Sequence, residues 1–322
     1  MAYSVGGTIE ASDFNIRNGS TTANVSGQIN SVYATGNGNS GYGQTSFIAG
    51  NVSVGNNISA GSDPGLGPVS SSQWRSMILA LNICRNHQTG SSSGITAPGY
   101  GDTISYYSTL DTQLTAAYTD RLTAAATGST TTGTDDTWSP SVGATTALDV
   151  FRDCNIVFSS ADAARYFFNA GGRIAMIYSA VDNAATVRSV SVRDLVNDIG
   201  GFNTYRGYSN SGRTGTGGSI SVNNTGVGYW NTTGTATTFI QADDSGYYAG
   251  YYARVQHFTT GSTTNGSKGE QLVFRLVLFA SADDAFGGSI NLTVTSRCDI
   301  TYPSTTYLND SWGTPTISYD SV

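Results

Sequence analysis

The sequence predicts an α+β chain: a small N-terminal helical region over residues 1–126, followed by a mainly antiparallel β-sandwich domain over residues 135–322. Three observations predict it. Apolar residues recur at helical spacing before a low-complexity tract at 127–134, and at a period of two beyond it. Only 11% of the 322 residues are charged, Lys268 is the sole lysine among 15 basic residues, and Glu10 and Glu270 are the only glutamates. Exposed helix faces favour Lys and Glu, so a mostly helical enzyme is excluded. Forty glycines, with dense Ser, Thr and Asn tracts, supply the turns that many short strands require.

The elements follow in chain order. Residues 7–15 open a weakly helical stretch, with Ser12 or Asp13 as its N-cap and Val25, Ile29 and Val32 among its apolar positions. Residues 35–44 are too glycine-rich to be regular. The scheme repeats loosely at 52–60, and an insert carrying Pro64 and Pro68 leads to a serine run before Gln73 and Trp74. Trp74, Met77, Ile78, Leu81 and Cys84 then keep i, i+3/i+4, i+7 spacing, which predicts an amphipathic helix with Trp74, Ile78 and Leu81 at its core and Gly90 ending it. A third helix is expected within 104–122, where Ile104, Tyr107, Leu114, Tyr118 and Leu122 share a face. The tract at 127–134 reads as a linker and sets the domain boundary.

Beyond it, 150–158 and 173–178 are β-rich, 189–199 predicts a short helix through Val192, Leu195, Val196 and Ile199, and 209–218 predicts an exposed loop. Residues 247–258 read as a strand with Tyr247 and Tyr251 on one face and Tyr248 and Tyr252 on the other. Residues 271–280 are almost continuously apolar, as in a central buried strand, and 289–296 alternate cleanly.

Chemistry is sparse. The two histidines, His87 at a helix end and His257 in a strand, read as capping and core residues, since no nucleophile elbow accompanies them. The pairs Asp135-Asp136, Asp243-Asp244 and Asp283-Asp284 read as turn residues, with weak calcium binding at Asp243-Asp244 as the alternative. Gly215-Thr216-Gly217-Gly218 lacks the lysine of a phosphate loop. Cys84, Cys154 and Cys298 have no metal-ligand spacing and are expected to fill apolar niches, a Cys154–Cys298 bridge being the alternative. No catalytic, cofactor or metal residues are therefore assigned. A net charge of −7 argues against nucleic acid as a partner, and the longest apolar run, 272–280, is too short to span a bilayer as a helix. The first residues lack the basic and apolar regions of a secretory signal, so export is expected by lysis or another route. Nineteen tyrosines on a charge-poor chain suit contacts with protein partners.

The segment Ala163-Ala164-Arg165-Tyr166-Phe167-Phe168-Asn169-Ala170-Gly171-Gly172-Arg173-Ile174 resembles a recurrent stretch in virion structural proteins of tailed bacteriophages, chiefly tail, neck and baseplate-associated proteins of cyanophages and their relatives. The segments 8–15, 38–44, Gln73-Trp74 and 85–90 occur in the same order in those proteins. The sequence departs from the commoner pattern in having Ala170 where serine is frequent, and in the insert at 61–68. The resemblance implies a virion component, assembled in the host cytoplasm, that acts through contacts with its own copies and with other tail or neck proteins. It implies no enzyme activity, cofactor or membrane contact. A capsid decoration protein and a receptor- or glycan-binding tip, with Trp230 or Trp312 as stacking platforms, are the alternatives. Read physically, Arg165, Tyr166, Phe167, Phe168, Asn169, Gly171 and Gly172 form an aromatic-anchored corner between a short helix and a strand.

Overall fold

A computed structural model describes residues 11–45, 69, 71–99, 102, 107–125, 127–208, 210–217, 219–222, 227–282 and 288–320. In chain order its helices and strands begin with α1 (Ala11–Asn18), α2 (Asn30–Tyr33), α3 (Ser71–Thr89), α4 (Tyr107–Thr119), β1 (Thr127–Thr131), β2 (Asp136–Trp138), β3 (Ser141–Val142) and β4 (Leu148–Val157). There follow α5 (Ala161–Asn169), β5 (Arg173–Asp182), α6 (Val187–Ile199), β6 (Gly201–Tyr205), β7 (Asn210–Arg213) and β8 (Ile220–Val222). The last are β9 (Thr237–Asp243), β10 (Tyr252–Thr260), β11 (Gln271–Ala280), β12 (Ile290–Pro303) and β13 (Thr316–Asp320). The chain is thus α+β, with two antiparallel sheets in a sandwich-like arrangement.

One sheet runs β1-β12-β5-β6-β7, with β2 and β3 also pairing β12; the other runs β13-β4-β11-β10-β9-β8. Strand alternation decides which side each residue joins. On β5, Ile174, Met176, Tyr178 and Ala180 are buried while Arg173, Ala175, Ile177 and Ser179 lie on the other side. On β11, Leu272, Phe274, Leu276, Leu278 and Ala280 enter the core. Helix α6 packs on β5, β9 and β10, burying Val192, Leu195, Val196 and Ile199. Thr186 caps it, its hydroxyl accepting from the Ser189 amide.

Helix α3 buries Trp74, Met77, Ile78, Leu81 and Cys84, the face that the spacing predicts, and Gly90 ends it in the left-handed region at φ +77°. Leu110 and Leu114 of α4 are buried as well. One hydrophobic core connects Phe14 and Trp74 of the helices to Trp312 near the last strand.

Several expectations are corrected. The tract at 127–134 contains strand β1, paired to β12 with Thr130 opposite Thr301, so a long-range ladder overrides its low-complexity composition. Residues 209–218 contain β7, which pairs β6. Ser12 and Asp13 lie inside the first turn of α1 rather than at its cap, and Val25 is exposed while Ile29 and Val32 are buried. Residues Gly246–Tyr248 form a 3-10 turn, so strand alternation does not govern the tyrosines: Tyr251 is buried, Tyr247 is exposed, and the strand starts at Tyr252. Asp136 belongs to β2 rather than a turn and pairs Arg152 through two hydrogen bonds of 2.9 and 2.8 Å. The expectations for 8–10, 52–60, the insert at 61–68, Ile104 and Asp283-Asp284 fall outside the described residues.

Candidate functional site

Both histidines and all three cysteines are buried. His257 packs against Phe239 and Tyr205 and lies opposite Phe274 in register, its Nδ1 lies 2.7 Å from the Tyr205 hydroxyl, and burial lowers its pKa to about 4. His87 lies near the end of α3, as expected, but its ring does not cap that helix. Its Nε2 lies 2.8 Å from the Ala170 carbonyl oxygen at the end of α5, and burial lowers its pKa more than that hydrogen bond raises it. Of the two readings of His87, packing or capping, the structure shows the buried, packed one, with the ring turned to α5 instead of the α3 carbonyls.

All three cysteines are free and buried. The Cys298 thiol is in hydrogen-bond contact with that of Cys154 between the two sheets, without a bridge. Asp244 accepts from the Ser191 hydroxyl, and among the described residues no group of three His, Cys, Asp or Glu side chains is placed to hold a metal ion. An open groove of about 450 Å³ is lined by Thr232, Thr259, Thr260, Thr263 and Lys268, with neither a histidine nor a carboxylate. Trp230 and Trp312 are 6% and 2% exposed, so neither provides the stacking platform expected of a glycan-binding tip.

Three of the segments quoted for the resemblance, 38–44, 85–90 and 163–174, meet at one internal junction. Ser160 caps α5, accepting from the Ala163 amide at 3.0 Å, and the helix buries every residue from Ala163 to Asn169. Phe167 sits 5.2 Å from Phe158 and 5.1 Å from Phe168, and Phe168 stacks on Tyr229 at 4.5 Å. The Arg165 guanidinium, fully buried, donates to Asp162 at 2.8 Å and to the Asn265 carbonyl at 3.3 Å, an oxygen that also accepts from the Gly38 amide at 2.6 Å. Asn169 donates to the Gly41 carbonyl at 2.9 Å and accepts from Trp230 Nε1 at 3.1 Å. Gln44 holds both the amide and the carbonyl of Asn309, at 2.7 and 2.9 Å, and Gln88 donates to the Tyr42 hydroxyl at 2.9 Å.

Two glycines make this junction possible. Gly43 has φ +71°, and a Cβ there would fall 2.5 Å from the Tyr166 ring; a Cβ on Gly172 would fall 2.5 Å from the Phe167 ring. The corner read from the sequence is therefore a clamp among the 35–44 loop, the end of α3, α5 and the 264–267 turn. Pairwise proximity of these segments has no short-range sequence signal.

The outer side of the second sheet carries a layer of aromatic and arginine side chains that sequence reasoning missed. Register places Arg254, Val277 and Phe151 in one row, Tyr252 and Phe279 in the next, and Arg275 beside Asp153 on the other side. Tyr252 and Phe279 stack at 5.1 Å, and the Arg254 guanidinium lies 4.7 Å from the Tyr252 ring centre. Arg275 makes two 2.7 Å bonds to Asp153 while covering Phe151 at 4.0 Å and Phe258 at 5.2 Å. Val273 and Val277, although on the outer side, are buried beneath this layer. Phe151 stays 39% exposed, large for a phenylalanine in mid-strand. The signal lies in the alternate positions of 271–280, where Arg275 interrupts an otherwise apolar run.

Comparisons with protein-family models, with curated proteins and with solved structures found no match, so the fold and the site stand on their own geometry.

Proposed function

We propose that this chain is a structural component of a tailed-phage virion, associated with the tail, neck or baseplate, and that it works by docking against its own copies and neighbouring virion proteins. The observation that carries this reading is the aromatic and arginine layer on the outer side of the second sheet. Phe151, Tyr252, Phe258 and Phe279, with Arg254 and Arg275 and without lysine, have the composition of protein interfaces rather than of solvated surface. In this reading the helices before residue 126 form an assembly region set on a β-sandwich domain, and the clamp around α5 keeps the two in fixed register so that the docking face is presented rigidly. Closed rotational symmetry about the tail axis is the expected arrangement of copies.

Mass spectrometry of particles purified from the phage that encodes the chain tests the assignment. Stoichiometric presence in intact particles supports it, and a density map then separates a tail from a capsid position. Absence from particles, with the protein confined to the lysate, overturns it.

A further inference from the structure

The outer side of the first sheet carries an arginine pair that neither the clamp nor the docking face uses. Thr301 of β12 is in register with Arg173 of β5, and the Ile174–Tyr205 pairing places Arg206 beside Arg173 one step further along. Thr130 of β1 continues the same row, its hydroxyl 2.8 Å from that of Thr301. The backbone at Arg206 is fixed, because its carbonyl accepts from the Tyr229 amide at 3.0 Å and the adjacent Gly207 carbonyl accepts from Trp230 at 2.7 Å.

Among the described residues neither arginine meets a carboxylate within ion-pair distance. The Nε atoms of both are buried without a hydrogen-bond acceptor. Asp299, the nearest acid along β12, is taken by Arg297 at 3.0 Å and by the Gly133 amide at 3.0 Å. Like charges opposite one another across strands are destabilising. Burial, with the neighbouring Arg206, also lowers the pKa of Arg173. An oxyanion relieves both costs, since a guanidinium presents parallel N–H donors that match carboxylate and phosphate geometry.

We propose that Arg173 and Arg206, flanked by Thr301 and Thr130, form an oxyanion site that binds a carboxylate or phosphate group. The site stands apart from the aromatic docking face and does not rest on the virion reading. Two sources share this chemistry: a free oxyanion, or a carboxylate side chain of a second copy of this net-acidic chain.

The test titrates the full chain with inorganic phosphate against chloride at constant ionic strength, by calorimetry, and follows its mass by light scattering. Arg173→Gln, Arg206→Gln and the charge-keeping Arg206→Lys are compared with wild type, with circular dichroism confirming the fold. Saturable phosphate binding that weakens about tenfold or more in each Gln variant, with mass unchanged, is the result expected of a free oxyanion. Self-association that phosphate competes away and that both Gln variants lose is the result expected of a carboxylate from a second copy. In either case Arg206→Lys falls between wild type and Arg206→Gln. Phosphate binding equal in wild type and the Gln variants overturns the site, as does the absence of both phosphate binding and arginine-dependent association.

Discussion

Replacing Asn169 by alanine tests the clamp at its centre. The side chain is fully buried and satisfies two groups: the Gly41 carbonyl at 2.9 Å and the Trp230 indole N–H at 3.1 Å. Truncation leaves both unpaired, at about 1–3 kcal/mol each, so the expected loss is about 2–6 kcal/mol. That is a large share of the roughly 5–15 kcal/mol by which a domain is stable. Urea unfolding followed by far-ultraviolet circular dichroism measures it. A double-mutant cycle isolates the cause: in a Trp230→Phe background the indole donor is gone, so Asn169→Ala costs about 1 kcal/mol less or better than in wild type. A loss below about 0.5 kcal/mol, or a coupling near zero, refutes the claim that this asparagine ties the 35–44 loop to α5 and the Trp230 turn.

Further outcomes follow from burial and charge. Phe167→Ala removes a fully buried ring packed on Phe158 and Phe168, with an expected cost of about 3–5 kcal/mol by chemical denaturation, while Phe167→Leu costs less than half as much. His257 has a folded-state pKa of about 4 against an ordinary value of 6.5, so the unfolded chain takes up the proton first as pH falls. Stability is therefore full above pH 6.5, declines by roughly 3 kcal/mol as pH drops toward 4, and levels off below it. His87, lowered by its own burial, adds in the same direction, and a His257→Gln variant has a shallower pH profile than wild type. A profile that rises on acidification contradicts both placements.

What the sequence made legible was periodic and local. The face of α3 and the helix through Val192, Leu195, Val196 and Ile199 follow from 3.6-residue spacing, and β11 and β12 follow from their apolar pattern. The aromatic corner at Tyr166 to Phe168 was readable because three adjacent rings beside paired glycines have few other uses. Long-range pairing was not legible. Thr127–Thr131 has no apolar residue and is exposed throughout, so nothing local distinguishes a strand on the β12 edge from a linker. Asp136 reads as a turn residue until Arg152 is placed opposite it. The tyrosines at 247–252 misled because a glycine at φ +73° starts a tight turn where composition indicated a strand. The outer aromatic and arginine layer was hidden for a related reason: Phe151, Arg254, Arg275 and Phe279 come from three strands, and only register brings them together.

The outer side of the second sheet is proposed as a surface for protein contact. Sedimentation velocity over a concentration series, comparing wild type with Phe151→Glu, tests this most directly, since Phe151 is exposed enough for the substitution to leave the fold intact. Wild type is expected to associate as concentration rises, and Phe151→Glu to remain a monomer under the same conditions. Wild type that stays monomeric throughout, or a variant that associates as wild type does, contradicts it.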